Sequence, residues 1–388
     1  MSEWKECTIA DLGEVVGGAT PSTKKPENYE NGIISWITPK DLSTFKGRFI
    51  TYGERNITEI GLNSCSTRIL PPHTILFSSR APIGYMAIAA KEMCTNQGFK
   101  SVIPNADTDF MFLYYLLKYN RGNIENMGSG TTFKEVSGNT MKSIKVYVPV
   151  DIEKQRKIGA VLSAIDDKIE LNTAINENLE QQARALFKKM ISGDQKQVPF
   201  TSLIDVFGGG TPKTGNQEYW NGEIPFFTPK DVGNPYALTT EKSITSLGLD
   251  NCNSHLYPVN TVFLTARGTV GKVSLAGVPM AMNQSCYALT GQDGLHQIIV
   301  YQYVLETVKA LKHKASGAVF DAIITRDFDT EIIPVLSSEQ IDDYIAVAAP
   351  IYSEIRNRTF ENQCLAALRD SLLPKLMSGE IDVSQVQI

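Results

Sequence analysis

"SWITPKDL" (Ser35–Leu42) and "PFFTPKDV" (Pro225–Val232) are nearly the same phrase, written 190 positions apart. A tetrapeptide can recur by chance, so the extent of the echo decides its meaning. "VVGGATP" (Val15–Pro21) answers "VFGGGTP" (Val206–Pro212), and "ITEIGLNSC" (Ile57–Cys65) answers "ITSLGLDNC" (Ile244–Cys252). An offset of 187 carries Arg80 onto Arg267, Gly84 onto Gly271, and Asn96-Gln97 onto Asn283-Gln284. It also carries "GSGTTF" (Gly128–Phe133) onto "ASGAVF" (Ala315–Phe320), and "KKMISG" (Lys188–Gly193) answers "PKLMSG" (Pro374–Gly379). One tandem duplication accounts for this. Each copy is long enough to bury its own core, unlike a solenoid repeat.

A chain of 388 residues holds two or three domains, and 42% hydrophobic content suits a folded globular protein. No apolar run has the length to cross a bilayer, and the start lacks the apolar segment of a secretion signal. The expected location is cytoplasmic. Six cysteines without C-x-x-C spacing read as buried thiols in a reducing compartment, with Cys65 and Cys252 at equivalent repeat positions. The four histidines have no paired metal-ligand spacing, so no metal is expected. A formal charge of −5 argues at first against a nucleic-acid partner. By segment the charge is +2 (1–150), 0 (151–193), −3 (194–338) and −4 (339–388), and a near-neutral domain can still present a basic face.

Those segments are also the expected domains. Residues 1–150 and 194–338 are rich in Gly, Pro, Thr and Asn, with short strand-like runs and one helical stretch each (Asp109–Tyr119 and Gly294–Lys312). This is an α+β pattern. Between Gln155 and Ser192, Leu162, Ile169, Asn176, Ala183 and Met190 recur every seven residues. Ile158, Ile165, Asn172, Leu179 and Leu186 recur beside them, which predicts a coiled-coil seam on a helix about 55 Å long. A shift of 186 predicts the second such helix, with Pro350 delaying or kinking its start and Pro374 its end. Both seams turn polar mid-way, at Asn172 and Asn176 and at Arg358 and Asn362. Because the second domain lies between the helices, an antiparallel pair is expected, with Asn172 beside Asn362 and Asn176 beside Arg358.

The glycines of "VFGGGT" and the tripeptide Asn234-Pro235-Tyr236 are reminiscent of an adenine methyltransferase, but the glycines belong to a turn common to both copies. The tripeptide has no counterpart in the first copy, and no phosphate-cradling or zinc-protease motif occurs. What recurs is a set of polar side chains beside turns. Thr20, Lys40, Arg80 and Gln97 are mirrored by Thr211, Lys230, Arg267 and Gln284. Lys and Arg hold phosphates, while Arg and Gln also make bidentate contacts to base edges. Residues shared by two domains that read different sequences suit scaffold or phosphate roles. Base readers belong where the copies differ, at Ser22–Asn28 (with Lys24 and Lys25) against Lys213–Glu218.

With these motifs, and with "VPVDIEKQRKI" and "LLPKLMSGEI", the chain resembles the specificity subunits of type I restriction–modification systems over essentially its full length. The resemblance implies two tandem target-recognition domains separated by two long antiparallel coiled-coil helices, in a pseudo-two-fold arrangement. It implies double-stranded DNA as ligand, two methyltransferase subunits as partners, and restriction subunits in the full complex. It also implies that this chain is non-catalytic and holds no cofactor, S-adenosylmethionine and ATP belonging to the other subunits. The Glu-Gln at the start of the second helix (Glu339-Gln340) is spaced out as Glu153-Lys154-Gln155 in the first, which leaves that helix start open. Two alternatives are a self-contained DNA methyltransferase or nuclease, and a structural coiled-coil protein without DNA binding.

Overall fold

The computed structural model describes residues 4–80, 82–129, 134–314 and 322–386. The GSGTTF/ASGAVF echo falls largely outside them. The chain forms two compact units, residues 1–170 with 365–388, and residues 171–364.

The first unit holds a five-stranded sheet in the order Gly13–Gly17, Lys100–Pro104, Ile75–Phe77, Met86–Ala89, Phe49–Ile50. A three-stranded sheet runs Arg55–Ile57, Ile34–Ile37, Cys94–Thr95, and Trp4–Thr8 pairs with Lys145–Pro149. In the second unit the five-stranded order is Ile204–Gly208, Cys286–Gly291, Val262–Thr265, Val273–Ala276, Tyr236–Ala237. Its three-stranded sheet is Lys242–Ile244, Trp220–Phe227, Ala281–Met282, and Gln197–Pro199 pairs with Ile332–Pro334. The two folds match strand for strand. Alternating and all-apolar runs such as Ile75-Leu76-Phe77 and Val262-Phe263-Leu264 supply fully buried central strands.

One helix covers each large sheet. Phe110–Tyr119 begins at Asp109, whose Oδ1 accepts from the Phe112 amide at 2.8 Å. Its counterpart is Gln297–Lys314, two residues longer at the C-terminal end than the sequence pattern predicts.

The first long helix spans Ile152–Ile191 and the second Ser338–Met377. The first starts three residues before Gln155. That glutamine lies buried inside the first turn, accepting from the Asp109 amide at 3.0 Å and donating to the Pro149 carbonyl at 3.1 Å. The second helix runs unbroken through both prolines, which corrects the expected delay and early end. Pro350 sits on the exposed face, while Tyr344, Ala348, Tyr352 and Ile355 are buried. A proline inside a helix costs about 3 kcal/mol, and four buried large or well-packed side chains at ~1.5–3 kcal/mol each for the larger ones outweigh it.

The seam also drifts from the strict heptad. Ile158, Leu162, Asn172, Asn176 and Ala183 are buried, but Leu186 is exposed and Phe187 takes its place inside. A 3.6-residue turn walks off a seven-residue repeat by ~20° per heptad, and without supercoiling the buried stripe shifts by one position. Within each unit the helical segments pair antiparallel. Asp166 meets Arg369 in the first, while Ala183 meets Tyr344 and Asn172 meets Asn362 in the second. Arg358 Nη1 donates to Asn172 Oδ1 at 3.0 Å, whereas Asn176 donates to the Ile355 carbonyl and Thr359 Oγ1, both at 3.4 Å. Arg358 thus joins the Asn172–Asn362 layer, because its long side chain reaches one turn along the groove.

Candidate nucleic-acid interface

In the first unit three separate motifs close on one another. The Ala19 amide bonds the Thr95 carbonyl at 3.1 Å, and a Cβ on Gly18 would stand 2.2 Å from the Thr95 and Asn96 carbonyls. Only glycine allows that approach. A Cβ on Gly98 would stand 2.9 Å from Pro39, so the Asn96–Gly98 turn is pressed onto the start of the "TPKD" helix. Thr20 Oγ1 then bonds Gln97 Oε1, and the Ser79 amide bonds the Gly98 carbonyl at 2.7 Å, bringing Arg80 to the same edge. The second unit repeats the arrangement through Gly209 against Asn283, Gly210 N to the Met282 carbonyl, and Thr211 to Gln284.

The duplicated "TPKD" is a locked corner. Asp41 Oδ2 accepts from the Thr38 amide and hydroxyl, both at 2.7 Å, and its Oδ1 accepts from the Glu54 amide at 2.7 Å. Asp231 does the same with Thr228 (2.8 and 2.6 Å) and the Glu241 amide (2.7 Å). With the threonine hydroxyl spent on the aspartate, and the aspartate on backbone amides, only the lysine is left exposed. Lys40 Nζ lies 2.7 Å from Glu54, and Lys230 Nζ lies 3.1 Å from Glu241. Both lysines are about three-quarters exposed, at 77% and 76%. Exposed pairs of this kind contribute ~0–1 kcal/mol, so a phosphate can take the lysine from its glutamate at little cost.

The arginines differ between copies. Arg80 Nε lies 3.0 Å from Glu135, which also holds Lys100 at 3.6 Å. The repeat partners of those three are Arg267, Ala322 and Tyr287, and among the described residues Arg267 makes no ion pair. Burial raises the Tyr287 pKa and the Arg267 charge opposes the rise, so the guanidinium is close to that ring. Lys24, Lys25 and Lys213 are exposed beside short 3₁₀ turns, with no ion pair among the described residues. The structure therefore gathers Thr20, Lys40, Arg80 and Gln97 along one edge, and Thr211, Lys230, Arg267 and Gln284 along its copy, where the Ala266 amide bonds the Ser285 carbonyl at 2.8 Å. The acidic partners Glu54, Glu135 and Glu241 were missed from sequence. Glu54 and Glu241 lie at different distances from their lysines along the chain, so no shared spacing reveals them.

Cys94 and Cys286 are buried, Cys7, Cys65 and Cys252 are half-buried, and Cys364 is exposed, so burial holds for two of the six free thiols. Among the described residues no cluster of His, Cys, Asp and Glu could hold a metal ion. No described helix is long and apolar enough to cross a membrane.

Two copies of one polar edge, each on its own α+β core joined to long helices, define a duplicated recognition protein. The model of the type I restriction modification DNA specificity domain matches the chain twice, over residues 1–181 and 194–346. The chain belongs to this family of DNA specificity subunits, the non-catalytic components of type I restriction–modification systems. Such subunits work on DNA in complexes with methyltransferase and restriction subunits. The chain is similar to the MjaIX specificity subunit of Methanocaldococcus jannaschii, at 31% identity over 99% of this chain and 95% of that protein. It is 23% identical to the HindI specificity subunit of Haemophilus influenzae, over 98% and 100% of the two chains. The crystal structure of a type I system S subunit from M. genitalium shares the fold, with a TM-score of 0.60 at 15% identity, covering 97% of this chain and 96% of that one.

Proposed function

We propose that residues 1–150 and 194–338 are two target-recognition domains, each reading one half of a bipartite, asymmetric DNA sequence. Residues 151–193 and 339–388 form the helical spacer that sets the distance between the half-sites and docks two methyltransferase subunits, with restriction subunits joining for cleavage. Lys40, Lys230, Arg80 and Arg267 contact phosphates, with Gln97 and Gln284 beside them. Lys24, Lys25 and Lys213 lie on the loops that discriminate sequence. Asn172, Asn176, Arg358 and Asn362 hold the helix register. Both domains and helices act in the cytoplasm.

One observation carries this reading. The two edges share their locked turns, yet the loops beside them, Ser22–Asn28 and Lys213–Glu218, differ in length and composition. A common scaffold positions the backbone of the DNA, and divergent loops specify bases. The test is exchange of residues 1–150 for the matching domain of a related subunit, followed by mapping of methylated adenines in the host genome. One half of the methylated sequence should change. A chimera that altered both halves would overturn the modular reading.

A further inference from the structure

The two recognition domains sit on their long helices through contacts of opposite polarity, and we infer that each domain is keyed to its own position in the chain. Strand register makes the comparison direct. Phe49 pairs with Ile88 and Tyr236 with Leu275, so Arg48 and Pro235 are the equivalent residues before those strands. The long helices align at an offset of 186, which makes Asp167 equivalent to Ser353 and Glu170 to Arg356.

In the first unit the domain donates and the helix accepts. Arg48, with its side chain only 4% exposed, gives its backbone N–H (3.1 Å) and its Nε (3.0 Å) to Glu170 Oε1. Its Nη2 reaches Asp167 and Glu170 Oε2, and Nη1 reaches the Ser163 carbonyl. Burial by itself would lower the Arg48 pKa, but the bonds to Glu170 and Asp167 more than offset it and hold the pKa above its ordinary value. The guanidinium stays charged and paired. In the second unit the helix donates and the domain accepts, with Arg356 Nε giving its hydrogen to the Gly277 carbonyl at 2.7 Å.

Neither domain suits the other seat. The first domain on the second helix would bring Arg48 against Arg356, two cations with no carboxylate between them. The second domain on the first helix would bring Pro235 against Glu170. Pro235 would then offer neither the side-chain nor the backbone donor that Glu170 takes from Arg48. A second layer agrees. Asp166, which accepts from Tyr115 (2.7 Å) and lies 3.9 Å from Lys118, is replaced by Tyr352, and Lys118 by Leu305. Discrimination built from repulsive and unpaired contacts is stronger than a mere difference in attraction. Breaking one partner of a buried pair is also far more costly than its net contribution suggests. The partner that fits the first seat is therefore a recognition domain with Arg or Lys immediately before the strand equivalent to Phe49–Ile50. The second seat takes a domain with an uncharged residue there.

The test is thermal unfolding of the full chain, a readout independent of whether the domains read DNA. A chain carrying residues 1–150 in both positions should lose roughly 5–15 °C in the Tm of its second unit. Adding Ser353→Asp and Arg356→Glu should restore most of it. Stability equal to the parent without those changes, or no recovery with them, overturns the proposal. In the native chain, Arg48→Glu and Glu170→Arg should each lower Tm, and the pair together should regain most of the loss. A double variant no better than the worse single one overturns it as well.

Discussion

Asn172→Leu is the substitution whose outcome follows most directly from the second unit. Asn172 is fully buried on the first long helix. Its Nδ2 donates to Glu361 Oε2 at 2.7 Å and to Asn362 Oδ1 at 2.9 Å, and its Oδ1 accepts from Arg358 at 3.0 Å. Leucine keeps the volume and removes all three bonds. Two of them involve a charged group, each contributing about 1.5–3 kcal/mol, and the neutral one about 1 kcal/mol. Arg358 keeps Glu354 at 2.8 Å, which places its loss at the low end of that range. The gross loss is then about 4–5 kcal/mol, offset by about 2–3 kcal/mol from burying a leucine. The net is a destabilisation of about 2 kcal/mol, or roughly 4–8 °C in Tm for a unit of this size. Replacing Asn172, Asn176, Arg358 and Asn362 together by Leu removes both sides of the Asn172–Asn362 and Arg358–Asn172 bonds and leaves Glu361 part-exposed, and that chain should melt above the parent. It should also lose register, because an apolar seam tolerates slippage, so methylation at the correct half-site spacing falls. The assay is calorimetry on the full chain, followed by methylation in the assembled complex. An Asn172→Leu chain that melts at or above the parent, or a quadruple variant that falls with it, would refute the reasoning.

Lys40→Ala and Lys230→Ala should each weaken DNA binding about equally across sequences and lower the salt slope by about one unit, measured by titration at several salt concentrations. A changed methylated sequence at unchanged affinity would make them base readers instead. For the cysteines, burial pushes the Cys94 thiol up to about 11 and the Cys286 thiol up to about 12. At pH 8 each is thiolate in about one molecule in a thousand or fewer, so neither should react with a maleimide in the native chain, while exposed Cys364 labels first. Peptide mapping that found Cys286 labelled as fast as Cys364 would contradict the buried placement.

The duplication, the α+β character of each copy and the two long helices were legible in the sequence, because each rests on local pattern. Turn residues, short apolar runs and a seven-residue recurrence are read from neighbours along the chain. The meeting of Asn172 with Asn362 was also within reach, since connectivity and polar positions in an apolar seam leave few arrangements. Only the tertiary structure decided the rest. That Pro350 lies inside a continuous helix depends on Tyr344, Ala348, Tyr352 and Ile355 packing on the opposite face. That Phe187 displaces Leu186 from the seam depends on the helix keeping its own 3.6-residue turn. The pairing of Lys40 with Glu54 and Arg80 with Glu135, and the seat of Arg48 on Asp167 and Glu170, join residues from 14 to 122 positions apart. No periodicity links such residues. Their charges find each other only after the sheets and helices have brought the backbones together, and the two copies, identical in strand order, solved that docking with opposite polarity.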